Sequence, residues 1–134
     1  MRVWRKALLA VVLVPAVTIG GYIAYLAATY IDQTVTSGSA YGFNIGSSKI
    51  QAIEAIRHQR ASYPRSAVYV SYGPRAGDTF TLSASDLKPE KLDSHDQWTV
   101  LLDGPGEFFN TMRLTFQEGH LVEVHRHRQH FELP

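Results

Sequence analysis

The chain has 134 residues, enough for one small domain, and a formal net charge of +1. It holds no cysteine, which excludes a disulfide framework and a lipidated cysteine. The charge is unevenly divided, because three of the thirteen basic residues lie in the first six positions and all twelve acidic residues lie from Asp32 onward. The part beyond the N-terminal segment is therefore slightly acidic, and it shows no basic patch of the kind that binds nucleic acid.

A long apolar segment dominates the N-terminal part of the chain. Twenty-five consecutive residues, 7–31, carry no charge. As a helix they would rise roughly 37 Å, enough to cross a hydrocarbon core of about 30 Å. Basic residues precede the segment and Asp32 follows it. The positive-inside rule therefore predicts a cytoplasmic N-terminus at residues 1–6, a single-pass anchor in a bacterial inner membrane and a periplasmic C-terminal domain.

A cleaved signal peptide is the alternative interpretation of this segment. However, Ala24, Ala27 and Ala28 form no A-x-A pair, which is the usual cleavage signal. The nearest pair of small residues with that spacing, Gly38 and Ala40, lies far beyond the apolar run. We therefore expect an anchor that is not cleaved.

The strongest helix signal lies between Ser48 and Ala61, after a Ser-, Thr- and Gly-containing stretch at residues 32–44 that predicts a tether. Ser48 and Gln51 have the spacing of a capping box, and Pro64 disfavours continuation of the helix. The apolar face is expected to comprise Ile50, Ala52, Ile53, Ala55 and Ile56. The polar face is expected to comprise Lys49, Glu54, Arg57 and His58.

Beyond Pro64 the apolar residues alternate with period two, which is typical of strands. Strands are expected over residues 66–73, 78–84, 97–103, 111–116 and 120–128. The stretch 85–97 predicts a polar loop. One helix packed on an antiparallel sheet of four or five strands accounts for this pattern, so we expect an α+β domain over residues 45–134. We also expect the part beyond about Tyr41 to fold without the anchor.

The last predicted hairpin contains a conflict of register. A two-residue turn at residues 118–119 would pair Phe116 with Leu121 and bury Leu121, but it would then place Val124 outside the core. Because one extra residue in a strand restores the alternation, we expect a longer turn or a bulge near residues 120–121.

The order of these elements resembles the small envelope domains of the SmpA/OmlA (BamE-like) family. The phrase GSS at residues 46–48 leads into the helix, and LTFQEGHLVEV forms the final hairpin, so the resemblance covers roughly residues 44–127. The chain departs from the family because it lacks a lipidated cysteine and because YPR at residues 63–65 replaces the second helix. Inhibitor and immunity proteins of the periplasm are similarly built. The resemblance implies a periplasmic protein-binding domain and transfers no catalytic residues.

Four of the six histidines lie in HLVEVHRHRQH, between residues 120 and 130. On a strand, His125 and His127 project from the same face about 7 Å apart. Such a pair binds zinc or copper when a third ligand is close. His130 is the expected third ligand, and Glu123 and His120 are further candidates.

A solvated strand is the other interpretation of the same residues. On this interpretation the histidines face solvent while Val122 and Val124 face the core. Arg126 and Arg128 alternate with the histidines, and their positive charges oppose a bound metal ion. We favour this interpretation and expect no cofactor.

The sequence contains no nucleophile elbow and no phosphate-binding glycine loop. The stretch DSHD at residues 93–96 has acid–base residue types, but the members of a catalytic site usually come from distant segments. Aromatic and basic side chains are better candidates for contact with another protein, namely Tyr69, Tyr72, His95, Arg126 and Arg128. We therefore expect a non-enzymatic domain that binds an envelope or exported protein, as an inhibitor or immunity protein or as an accessory factor of an envelope assembly. A metal-binding periplasmic domain is the alternative.

Overall fold

The computed structural model describes residues 2–106 and 108–130, and the chain divides into two compact units. The first unit contains helix α1 (Arg2–Thr29), Tyr30 and, from the other end of the chain, residues 129–130. The second unit is residues 31–128. The strands that follow α1 are β1 (Ile31–Val35), β2 (Ser39–Ala40), β3 (Phe43–Asn44), β4 (Ala67–Ser71), β5 (Thr79–Ser83), β6 (Gln97–Leu101), β7 (Asn110–Gln117) and β8 (His120–Arg128).

From Ala7 onward, helix α1 contains no charged residue on any side. The stretch Lys6–Thr29 is long and apolar enough to cross a membrane, and its most apolar part is not buried. The hydroxyl of Thr18 donates to the carbonyl oxygen of Val14 at 2.8 Å, so this polar group is satisfied within the helix. A helix without a polar stripe has no face that prefers water, as expected for a membrane span and not for a surface helix.

The second unit is built on a six-stranded antiparallel sheet with the order β1-β8-β7-β6-β4-β5, and β2 and β3 form a separate ribbon. The predicted α+β class and the five predicted strands are confirmed. The predicted strand number of four or five is wrong, because β1 adds a sixth strand beside β8. Strands β1 and β5 are the two edges of the sheet.

Strand β1 and the ribbon replace the tether expected at residues 32–44. The pairing of β1 with β8 runs from Ile31 opposite Arg128 to Val35 opposite Val124. Only these two terminal residues of β1 are half-buried, and the three residues between them are exposed. The segment therefore lacks the period-two apolar pattern from which a strand is predicted, although its backbone completes the hydrogen bonding of β8.

Helix α2 (Lys49–Gln59) begins at the predicted capping box. The backbone N–H of Gln51 donates to the Ser48 hydroxyl at 3.3 Å, and the Ser48 N–H donates to the Gln51 side-chain oxygen at 2.9 Å. Both bonds satisfy donors that the first turn of a helix leaves free. The helix ends before Pro64, as expected, with Arg60 as its C-terminal cap.

The buried face of α2 differs from the predicted face at its first turn. Lys49, Ala52, Ile53 and Ile56 are buried, whereas Ile50 is 67% exposed. The buried positions are related as i, i+3, i+4 and i+7, and Ile50 lies about 100° away from the first of them. Lys49, predicted to face solvent, is instead buried along its stem while its ammonium group reaches Asp96 at 2.9 Å.

The inner face of the six-stranded sheet packs against α2 in one hydrophobic core. The core side chains of the central strands include Val68, Val70, Trp98, Val100, Met112, Leu114, Phe116, Leu121 and Val124. Leu87 and Leu92 complete this core from the stretch predicted to be a polar loop, and Leu92 belongs to a short helix, α3 (Pro89–Leu92). The predicted burial of Ile53 in this core is confirmed, at 2% exposure.

The turn between β7 and β8 has two residues. Glu118 and Gly119 both have positive φ values, 50° and 79°, as a type I′ turn requires. Phe116 pairs with Leu121, as expected for a turn of this length, and both side chains are buried. The longer turn is therefore not formed, and the register conflict is resolved within the strand.

The bulge that resolves the conflict lies at Val122. Leu121 pairs with Phe116, whereas Glu123 already pairs with Thr115, so Val122 is the extra residue. Val122, predicted to face the core, is only half-buried. Beyond the bulge Val124 is buried and the alternate positions of β8 lie on the outer face of the sheet.

Candidate functional site

The outer face of the sheet, opposite α2, carries a cluster of polar side chains on neighbouring strands. His125 and His127 lie on this face of β8 because the bulge places Val124 and Arg126, which alternate with them, on the inner face. The register pairs His125 with Arg113 of β7 and His127 with Asp32 of β1. Strand pairing thus brings together side chains from three separate segments of the chain.

His125 is the central member of this cluster. Its Nε2 atom lies 2.7 Å from Asp32 Oδ1, although the two residues are 93 positions apart. Its Nδ1 atom lies 3.1 Å from Arg113 Nη2. A guanidinium group only donates hydrogen bonds, so Nδ1 is the acceptor and the ring proton resides on Nε2, which donates to the Asp32 carboxylate. Both nitrogens of the ring are therefore engaged.

His127 brings a second imidazole to the Asp32 carboxylate. One ligand atom each from Asp32, His125 and His127 lie within 4.8 Å of one another. Asp32 is exposed and the histidines are half-buried, so the group is open to solvent. The depression above it is completed by Thr99, Thr111 and Arg113.

The cluster offers a set of ligand atoms for a cation. A carboxylate oxygen and two imidazole nitrogens are ligand types that zinc and copper commonly take. Both ring nitrogens of His125 are engaged, one with Arg113 and the other with Asp32, so a cation must displace one of these contacts.

The predicted third ligand, His130, does not belong to this group. His130 follows β8 and lies in the first unit, where its ring centroid is 5.7 Å from that of Tyr25. His120 lies at the start of β8, and its Nδ1 atom is 3.1 Å from the carbonyl oxygen of Gly46. Among the described residues, Asp32 is the one whose carboxylate oxygen lies within 4.8 Å of a ring nitrogen of both His125 and His127.

Two of the residues predicted to bind a partner, Tyr72 and His95, lie together in an aromatic cluster with Phe80. The ring centroids of Tyr72 and His95 are 5.9 Å apart, and those of Phe80 and His95 are 5.4 Å apart. Tyr72 is 56% exposed, whereas Phe80 and His95 are half-buried. Phe80 belongs to the edge strand β5, so the cluster lies beside a free sheet edge.

The remaining predicted partner-binding residues are not part of this cluster. Tyr69 packs with its ring perpendicular to that of Phe108, at a centroid distance of 6.2 Å. Arg128 is half-buried on β8, opposite Ile31.

Arg126, the last of the residues predicted to bind a partner, is buried in the folded chain, at 4% exposure. Its guanidinium Nη1 donates to the carbonyl oxygens of Thr111 and His127, at 3.1 and 2.8 Å, and its Nη2 donates to the Asn110 side-chain oxygen. Burial lowers the pKa of Arg126 from its ordinary value. Arg126 therefore connects the first residues of β7 to β8 from the inner face.

Asp32 and Arg113 are the site residues that the sequence does not reveal. Each stands in a segment without a recognisable motif, and each reaches His125 only through the register of the sheet. The one available signal was the H-x-H spacing on β8, which requires a further ligand without specifying it. Comparison with protein-family models, curated proteins and solved structures gives no match, so the resemblance to the SmpA/OmlA family stays a prediction.

Proposed function

We propose that the chain is a single-pass protein of the bacterial inner membrane, with a cytoplasmic N-terminus and a periplasmic α+β unit. The length and apolar character of Lys6–Thr29 support a membrane span. The basic residues before it and the acidic residue after it support this orientation. A C-terminal alkaline phosphatase fusion is expected to be active, and an inactive but stably produced fusion would contradict the orientation.

The pairing of β1 supports an anchor that stays attached. Strand β1 begins at Ile31, two residues after the end of α1, and it forms one edge of the sheet. Cleavage at the small residues Gly38 and Ala40 would remove this strand and expose the edge of β8. A mature protein produced by cleavage at this position would therefore lack one strand of its own sheet.

We propose further that the periplasmic unit binds another envelope or exported protein, as an inhibitor or immunity protein or as an accessory factor of an envelope assembly. The observation that carries this proposal is the aromatic cluster of Tyr72, Phe80 and His95 beside the edge strand β5. Exposed aromatic side chains that are already ordered by mutual packing lose little conformational entropy on binding, and they are enriched at protein interfaces.

The backbone of β5 offers a second element of recognition. The N–H of Tyr72 donates to the Asp78 carbonyl oxygen, and the N–H of Ala84 donates to the Ser66 carbonyl oxygen. Because hydrogen-bonded positions alternate in an antiparallel pair, the even-numbered residues of β5 direct their backbone groups toward β4. The intervening positions, including Thr81, direct their backbone groups to the free edge. An extended segment of a partner can pair with these groups while its side chains contact the aromatic cluster.

Site-specific photocrosslinking in cells tests this proposal. A photoreactive amino acid in place of Tyr72 is expected to give a discrete adduct with one protein, whereas the same amino acid in place of Tyr69 gives none. Thr81→Pro removes an outward-facing N–H without removing a bond to β4, so it is expected to abolish the adduct in a folded protein. The absence of any adduct specific to position 72 would contradict the proposal.

A further inference from the structure

We propose that Asp32, His125 and His127 form a binding site for a divalent metal ion of the zinc type on the outer face of the sheet. This proposal is independent of the protein-binding function, because the aromatic cluster contains none of these residues. The three ligand atoms already lie within 4.8 Å of one another in the folded chain. The site joins the first strand after α1 to the last strand of the sheet.

The donor set determines the class of metal. Two imidazole nitrogens with one carboxylate oxygen suit Zn²⁺ and Cu²⁺, whereas Mg²⁺ and Ca²⁺ prefer oxygen ligands throughout. Ligand bonds of about 2.0–2.1 Å place two ligands of a tetrahedral ion about 3.3–3.5 Å apart. The 2.7 Å contact between Asp32 and His125 must therefore open by less than about 1 Å to admit the ion.

The ligands are held by paired strands, which restricts their positions more than loops would. His125 and His127 alternate with buried residues on β8, and Asp32 lies directly opposite His127. Three protein ligands leave a fourth position for water, and the exposure of Asp32 leaves this position open to solvent. An ion bound in this way would cross-link the edge strand β1 to β8.

Arg113 opposes metal binding, so its removal gives a test that only this site would pass. The metal ion takes the place of the proton on His125 Nε2, and the neutral ring then carries its proton on Nδ1. That N–H would face the Arg113 Nη2 donor, which lies 3.1 Å away. Arg113 must therefore move aside, as its exposed and flexible side chain allows. Removing Arg113 is expected to strengthen binding, because it eliminates both the facing donor and a nearby positive charge.

Calorimetric titration of the full-length protein without a histidine tag, stripped of metal in detergent micelles, tests the site. Wild-type protein is expected to bind one Zn²⁺ per chain, to bind Cu²⁺ more tightly and not to bind Mg²⁺. Asp32→Asn, His125→Gln and His127→Gln are each expected to weaken zinc binding by about tenfold or more. His120→Gln and His130→Gln are matched controls from the same segment and are expected to leave the affinity unchanged.

The Arg113→Gln variant tests the site even if a variant of one of the three ligands fails to fold. This variant is expected to bind zinc about tenfold more tightly than wild type, a gain that loss of structure cannot produce. The proposal is overturned by the absence of saturable binding of one zinc ion, by an equal loss of affinity in the His120 and His130 variants, or by weaker binding in Arg113→Gln.

Discussion

The two faces of β8 differ in what they contribute. On the inner face Leu121, Val124 and Arg126 are all buried, whereas His125 and His127 on the outer face are half-buried. The inner side chains belong to a close-packed core in which a small change of volume is costly. The outer side chains form a hydrogen-bonded cluster open to solvent, so they can change without loss of the core.

Arg126 shows that the inner face does not depend on apolar contacts alone. A buried guanidinium is tolerated when its N–H groups find acceptors, and Arg126 donates to Thr111, His127 and Asn110. His125 on the other face also has both nitrogens engaged, but its neighbours Asp32 and Arg113 are exposed. The same kind of bond therefore matters more to stability on the inner face, where water cannot replace a lost partner.

Replacement of Ile53 by alanine is expected to give the largest effect. Ile53 is 2% exposed in the core, so its truncation leaves a cavity and costs about 2–5 kcal/mol. Denaturation can be followed by the fluorescence of the buried Trp98 in a Trp4→Phe background. Ile50→Ala on the exposed side of α2 is the control and is expected to change stability by less than about 0.5 kcal/mol. Equal losses in the two variants would show that the buried face is wrongly assigned.

Removal of β1 tests the edge of the sheet. A fragment that begins at Ile31 retains all six strands, whereas one that begins at Thr36 loses β1 and keeps the β2–β3 ribbon. The boundary expected from the sequence, Tyr41, would remove β2 as well. The five cross-strand pairs between β1 and β8 contribute about 0.2–1 kcal/mol each. The fragment that begins at Thr36 is therefore expected to be less stable by about 1–5 kcal/mol in urea denaturation. Equal stability of the two soluble fragments would contradict this role for β1.

Arg126→Leu is expected to cost about 1–3 kcal/mol, because it removes the hydrogen bonds that this buried guanidinium donates to Thr111, His127 and Asn110. Arg60→Leu at the exposed C-terminal cap of α2 is the matched control and is expected to have little effect. The free energy of unfolding of both variants is compared under the same conditions. A loss in Arg126→Leu no greater than that in the control would show that Arg126 is not a structural donor.

Replacement of both His125 and His127 by alanine is expected to give the smallest effect in the absence of metal. Loss of the outer hydrogen bonds is expected to cost less than about 1 kcal/mol in the presence of EDTA, because water replaces the lost partners. If this double variant were less stable than Ile53→Ala, the outer face and not the core would dominate the stability of the sheet.

Local patterns predicted those elements whose determinants lie close together in the chain. The capping box of Ser48 and Gln51 marks the start of α2, and alternation marks β4 to β8. The predicted bulge is confirmed at Val122. Leu121 and Val124 are three positions apart, and both can face the core only if the strand contains one extra residue between them. Strand β1 was missed because an edge strand with exposed central positions carries no periodic signal.

The sequence by itself determined the apolar helix, the helix cap, the core-facing alternation and the H-x-H pair on β8, since each depends on residues within a few positions of one another. The tertiary structure alone decided that Asp32 and Arg113 lie on either side of His125, that Lys49 is buried instead of Ile50, and that Arg126 faces inward. The positions of Asp32, Arg113 and Arg126 depend on the pairing and register of the strands, whereas the burial of Lys49 depends on how α2 packs against the rest of the unit. Register is a property of paired backbones, and one residue of shift places every following side chain on the opposite face.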